Sequence, residues 1–213
     1  MTTGPSFGAD FRRQLRELIR WRRDVRRFRA DPLPAGTFEQ LVEIASLAPS
    51  VGLSQPWRFV LVEEPARRRA VRDNFAAANA EALNAYADER ARLYATLKLA
   101  GLDAAPVQFA VFADRDTTQG AGLGRRTMPE MSEYSTVAAV NTLWLAARGE
   151  GLGLGWISIL DPAALAALLD VPTTWRFVGY FCLGYPETDE VTPELERAGW
   201  EQRRPAAEFI VRR

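Results

Sequence analysis

Two short blocks carry the residue types that chemistry needs. Arg22-Arg23-Asp24-Val25-Arg26 sets one carboxylate among guanidinium groups. Gly155-Trp156-Ile157-Ser158-Ile159-Leu160 follows a Gly-rich turn, precedes Asp161-Pro162, and offers flexible backbone and a hydroxyl at the end of an apolar strand. Guanidinium forks match phosphate and carbonyl oxygens. A carboxylate held among arginines is expected to stay ionised and to exchange protons. Together the blocks imply a site for an anionic, planar ligand with acid–base chemistry beside it.

The rest of the composition narrows that chemistry. The chain has no His, which removes Ser-His-Asp and Cys-His catalysis and counts against a zinc site. Proton transfer then falls to Asp, Glu, Tyr, Ser or a cofactor, and difficult chemistry without imidazole or thiolate favours a bound organic cofactor. The single Cys, Cys182, lies in an apolar run and reads as a small core residue. Lys+Arg and Asp+Glu stand at 27 each, so no net field recruits nucleic acid or an acidic membrane. Lys98 is the only Lys, a bias of base composition more than of function. With 213 residues, 47% apolar and 25% charged, the chain can bury one sizeable core. Met1-Thr2-Thr3-Gly4-Pro5 lacks an apolar signal core and no stretch is long enough to span a bilayer, so cytoplasm is the expected compartment.

Several elements must position the two blocks. Asp10 is placed to cap a helix with Phe11, Leu15, Leu18 and Ile19 at helical spacing, ending near Trp21 where the arginines begin. Thr37 is placed to cap a second helix through Ala45. Pro49 to Pro56 reads as a loop, Trp57 to Glu63 as a buried strand, and Pro65 to Leu99 as a long helix stopped by Gly101. Val107 to Ala113 is a second strand, and Asp114 to Met128 a polar, Gly-rich loop. Glu133 to Arg148 is a helix apolar on nearly every face, which places it in the core or at a subunit interface. Trp156 to Leu160 is the strand carrying the hydroxyl, followed by a helix from Pro162 and a strand from Arg176 to Leu183. The tail Ala207 to Val211 reads as a last strand. Strands and helices do not alternate regularly, which predicts antiparallel pairing in one α+β unit.

Each motif has a bland reading beside the chemical one. An arginine run is commonly a solvated helix end, but Asp24 sits before apolar Val25 and Phe28, which favours a half-buried carboxylate. Gly151-x-Gly153-x-Gly155 precedes a strand and opens no helix, so it is a poor dinucleotide turn; glycines needing positive φ are the better reading. Ser158 lacks a nucleophile elbow and any His to activate it, so a hydrogen-bonding role is expected. Ser50 and Gln55 lie between prolines, where turn duty is the default. Trp144 and Trp175 read as core, whereas Trp57 and Trp156 flank the candidate segments.

Taken together, Arg22 to Phe28, then Ala48-Pro49-Ser50-Val51-Gly52-x-x-Gln55-Pro56-Trp57, then the Gly-rich approach to a strand, resemble the flavin-dependent nitroreductase superfamily. Arg23-Asp24-Val25-Arg26, Thr127-Met128-Pro129-Glu130-Met131-x-x-Tyr134-Ser135 and Gly155 to Pro162 are similar to its flavin-fragmenting branch. Asn141 to Arg148 also fits, and the likeness runs from about Leu18 to Arg203. Asp24 and the Met128–Met131 block set that branch apart from general nitroreductases. The resemblance implies an α+β three-layer sandwich, a central mostly antiparallel sheet flanked by helices, in an intertwined homodimer with FMN at the subunit interface. It implies that reduced FMN and dioxygen are the substrates, and that the flavin ring is contracted to 5,6-dimethylbenzimidazole, leaving erythrose 4-phosphate. By the same resemblance Asp24 and Ser158 are the catalytic pair. Arg22, Arg23, Arg26, Ser50 and Arg203, with Gln55 and Gly155 from the matched blocks, bind the flavin. The phosphate contact falls on Arg203, with its neighbour Arg204 as the alternative. Residues 82–102 are expected to form a lid, residues 1–9 a flexible start of a domain spanning 1–213, and a flavin reductase is a possible supplier of reduced FMN. The alternative is an NAD(P)H-dependent nitroreductase or flavin reductase that recycles its FMN; a flavin-binding module without turnover is a third reading.

Overall fold

The computed structural model describes residues 4–84, 86, 92–93 and 101–213. The expected lid, 82–102, lies mostly outside them. Among the described residues four strands form one sheet in the order β1-β2-β4-β3: β1 Trp57–Leu61, β2 Val107–Asp114, β3 Gly153–Ile157 and β4 Trp175–Gly184. All three pairings are antiparallel, as the irregular alternation of elements predicted. β2 and β4 are central and nearly continuous runs of apolar residues because both of their faces are covered.

The period of two divides those strands between two cores. Phe109, Val111, Phe181 and Leu183 face a cluster with α2 (Thr37–Ala45) and α5 (Met131–Gly149). Ala110, Phe112, Tyr180 and Cys182 face a second cluster holding Val71 of α3 (Pro65–Leu83), Leu102 of α4 (Gly101–Ala104) and Leu165 of α6 (Pro162–Leu168). The result is the expected helix–sheet–helix sandwich. Burial pushes the Cys182 thiol up to about 12, which fits an inert core position.

Several expectations shift in detail. Gly8, not Asp10, stands at the N-cap of α1 (Ala9–Trp21), and Asp10 lies in its first turn. Gly36, in the left-handed region at φ 82, precedes α2, and Thr37 is its first residue, its hydroxyl donating to Pro34 O at 2.7 Å. Gly101 is itself helical, in α4, and a Cβ there would lie 2.9 Å from Phe28 Cε2, so packing favours glycine. α5 buries one stripe, from Ser132 through Thr136, Ala139, Val140 and Leu143 to Ala147, while Tyr134 and Val137 stay exposed. The tail forms a short 3-10 turn, Ala206–Phe209, instead of a strand. Its Phe209, Ile210 and Val211 are exposed, and a strand needs an edge that the tail does not reach within one chain. No helix among the described residues is long and apolar enough to cross a membrane.

Candidate active site

The arginine block is a strap laid along the outer edge of β3. Val25 N donates to Leu154 O at 3.0 Å, and Asp24 and Leu154 form an isolated parallel bridge. Asp24 Oδ1 accepts from Trp156 N at 2.8 Å, a side chain standing in for a strand carbonyl. This contact explains the glycine pattern. Gly151 alone of the three has a positive φ, 73°. Gly153 and Gly155 sit inside β3, where a Cβ would strike Val25: its side chain at Gly153, its carbonyl oxygen at Gly155. The Gly-x-Gly spacing therefore records a close approach of the strap, not a turn, and the strand begins at Gly153 and ends before Ser158, earlier than the periodicity placed it.

Trp144 on α5 supports the strap from beneath. Its Nε1 donates to Arg23 O at 3.0 Å, and the Arg22 guanidinium lies 4.6 Å above its ring. Trp156 is packed nearby, with ring centroids 6.1 Å apart. Arg23 is tied down: Nε donates to Glu190 O at 3.2 Å and Nη2 to Arg20 O. Neither Arg22 nor Arg203 donates a side-chain hydrogen bond or forms an ion pair among the described residues. Sequence reasoning read Trp144 only as core; its role in carrying two arginines has no signal in spacing.

Arg22, Arg23, Asp24, Arg26 and Arg203 line one depression together with Glu194. Arg203 thus joins residues about 180 positions earlier in the chain. Burial lowers Arg22, and Arg203 beside it lowers it further against the pull of Asp24. Burial likewise lowers Arg23, followed by repulsion from Arg203 and Arg22. Arg204 turns to Glu208 instead, Nε to Oε2 at 2.7 Å.

Asp24 keeps 39% of its side-chain exposure, yet the surrounding protein crowds and desolvates its carboxyl. That crowding raises its carboxyl above the ordinary carboxylate range. The Trp156 N–H, Arg26 and Arg22 oppose the rise and Glu194 adds to it. Arg26 Nε stands 3.8 Å from Oδ2, too far for a forked hydrogen bond. Burial and the arginines thus act on Asp24 in opposite directions, with burial the larger, and a carboxyl so placed is suited to give as well as take a proton.

The other candidates lie apart. Ser158 is exposed just beyond β3, and its carbonyl accepts from Leu160 N at 3.0 Å. It does not line the arginine depression. It follows Trp156 by two residues, so at strand rise it stands roughly 7 Å along the edge from Asp24's anchor. Ser50 Oγ accepts from Gln55 N at 3.2 Å, and Gln55 Nε2 donates to Ser46 O at 3.3 Å. Gln119 Nε2 reaches Gln55 Oε1 at 3.1 Å. Leu53 and Gln55 hold positive φ, 54° and 40°, without being glycine, a strain that the surrounding bonds maintain. No hydrogen bond or ion pair among the described residues links this loop to the arginine strap.

A model of the nitroreductase family matches residues 19–185, and the chain belongs to that family. A 5,6-dimethylbenzimidazole synthase of Rhodospirillum rubrum is 54% identical over 213 residues, covering 100% of both chains. A protein of that name from Rhodobacter capsulatus is 50% identical over 200 residues, covering 94% of this chain and 97% of that one. An iodotyrosine deiodinase crystal structure, bound to FMN and 3-iodo-L-tyrosine, superimposes with a TM-score of 0.72 at 24% identity, covering 93% of this chain and 97% of that one.

Proposed function

We infer that the chain is a 5,6-dimethylbenzimidazole synthase, an oxidoreductase of the nitroreductase family. What supports this over a recycling nitroreductase is the name shared by relatives at 54% and 50% identity over nearly the whole chain. The chain binds a flavin, and FMN is the form proposed. The observation that carries that proposal is the group of three like charges, Arg22, Arg23 and Arg203, two of them without an acceptor among the described residues. Such a cluster fits a terminal phosphate, which would accept the unused donors and cancel the repulsion.

The reduced flavin, when bound, would supply the reactivity toward dioxygen and the carbon skeleton of the product. The protein's own residues supply the rest. Arg22, Arg23 and Arg203 hold the phosphate. Asp24, fixed by the Trp156 N–H, is the proposed proton acceptor and donor at the polyol chain and ring. Ser158 is the proposed hydrogen-bonding group that directs breakdown toward the benzimidazole instead of release of hydrogen peroxide. Gly155 lets the strap approach β3 closely enough to aim Asp24. Ser50 and Gln55, which share no hydrogen bond with the strap among the described residues, contribute from the second subunit of a homodimer in this reading. Support for that dimer comes from α1, which buries no residue although Phe11, Leu15 and Ile19 form an apolar stripe. A cytoplasmic setting and delivery of reduced FMN by a separate flavin reductase belong to the same proposal.

The test is direct. Chemically reduced FMN is incubated with the protein in air and 5,6-dimethylbenzimidazole is sought by mass spectrometry together with erythrose 4-phosphate. Quantitative recovery of FMN after reoxidation would refute the reading and favour a recycling reductase.

A further inference from the structure

Ser158 leaves the sheet at a point where nothing in its own strand holds it. The β3–β4 register ends at Ile157 opposite Tyr180. Past that pair the chain makes a tight bend, Leu160 N to Ser158 O at 3.0 Å, and runs into α6. Asp161 begins that helix as its N-cap, its Oδ1 accepting from Ala163 N at 2.9 Å and Ala164 N at 3.1 Å. These bonds fix the bend to α6 but not to the rest of the molecule.

The link to the rest comes from Asn74 on α3. Its Nδ2 donates to Asp161 O at 3.2 Å, and its Oδ1 accepts from Asp161 N at 2.8 Å. The pair is reciprocal, so one amide side chain gives the main chain both bonds that a neighbouring strand would give. α3 is itself anchored: Val71, one turn before Asn74, is fully buried. Arg67, two turns before, binds Leu168 O at 2.7 Å and Asp170 Oδ2 at 2.8 Å at the other end of α6. The Ser158–Asp161 bend is thus clamped between the end of β3 and α3. Removing the clamp exposes two backbone groups that already border solvent, so stability should change little, whereas a hydroxyl misplaced by about 1 Å can lose much of its effect.

We propose that Asn74 is a positioning residue for Ser158, acting through the main chain of Asp161. The proposal rests on the reading of Ser158 given above. An amide is required because both a donor and an acceptor are used. Asn74→Asp keeps the acceptor for Asp161 N but sets a carboxylate against Asp161 O, so it serves as the partial variant. Arg67→Ala removes the other α3–α6 tether without touching the bend, so it reports any general loosening of these helices.

The experiment measures two quantities on full-length protein: benzimidazole formed per reduced FMN oxidised in air, and hydrogen exchange of a peptide spanning residues 157–161. Asn74→Ala should lower the product ratio about tenfold, an effect of the size expected for a loosened reacting geometry. FMN affinity should stay unchanged and exchange in 157–161 should speed up. Asn74→Asp should fall between Asn74→Ala and the parent, and Arg67→Ala should match the parent in both quantities. A parent-like product ratio in Asn74→Ala would overturn the proposal, as would an equal loss in Arg67→Ala. Ser158→Ala, run alongside, separates the two readings: at a parent-like product ratio it overturns the role of Ser158 and this proposal with it. A lowered ratio in Ser158→Ala beside a parent-like Asn74→Ala refutes only the clamp.

Discussion

Arg203 and Arg204 are adjacent, yet the structure gives them opposite surroundings, and this makes a sharp test of the phosphate site. Arg203 faces Arg22 and Arg23 across the depression, while Arg204 is engaged with Glu208. Arg203→Ala should remove one charge-assisted contact to the phosphate, worth about 1.5–3 kcal/mol where it is shielded. That range is roughly ten- to a hundredfold in Kd. Arg203 lies on an exposed stretch, so salt screening places the expected loss near the lower end at physiological ionic strength, with a larger loss in dilute buffer. The unliganded variant should keep its stability or gain slightly, since one member of a repelling group is gone. Arg204→Ala should bind FMN as the parent does. Riboflavin, which lacks the phosphate, should bind more weakly than FMN to the parent and equally to parent and Arg203→Ala. The assay is titration of flavin fluorescence at two salt concentrations with both ligands. Equal loss in the two variants, or a parallel loss for riboflavin, would refute the clamp.

Asp24→Asn should slow benzimidazole formation by about a hundredfold or more while FMN titrations stay near the parent, because the amide oxygen can still accept the Trp156 N–H. The same variant carries a pH signature. Burial raises the Asp24 carboxyl, so folding favours its protonated form; that contribution is complete below the ordinary carboxylate range and is lost as pH rises through the folded value. Asn stays neutral throughout, so the variant should melt higher than the parent at neutral pH, with the gap closing toward pH ~4. Ser158→Ala should still oxidise reduced FMN in air but return intact FMN and hydrogen peroxide, measured by peroxide yield; a parent yield of benzimidazole would exclude the hydroxyl's role. Sedimentation at micromolar protein should give twice the mass of one chain, and charged residues placed at Phe11 and Leu15 should shift it toward monomer; a parent that sediments as a monomer would remove the two-subunit site.

What was legible in the sequence and what was not divide along one physical line. Patterns set by local period or by residue chemistry were readable: β2 and β4 as nearly continuous apolar runs, α1 ending where the arginines begin, antiparallel pairing from irregular element order. Features that depend on what a distant segment brings were not. Gly153 and Gly155 looked like a turn because a glycine required by φ and a glycine required by an approaching strap leave the same letter in the sequence; only Val25, some 130 residues away, tells them apart. Asp24 looked firmly ionised because its neighbours in sequence are arginines, but burial raises its carboxyl against the opposing pull of the Trp156 N–H, Arg26 and Arg22. Asn74 was invisible for the same reason, being an ordinary polar residue on a helix until Asp161 is set opposite it. The arginine block was legible as chemistry because charge density survives without a fold; Arg203 joined it only by resemblance, and the fold sets the two side by side as a repelling group. Like charges set together in this way are relieved when an anion binds among them, which is why that cluster, more than any single hydrogen bond around it, is the ground of the proposed phosphate site.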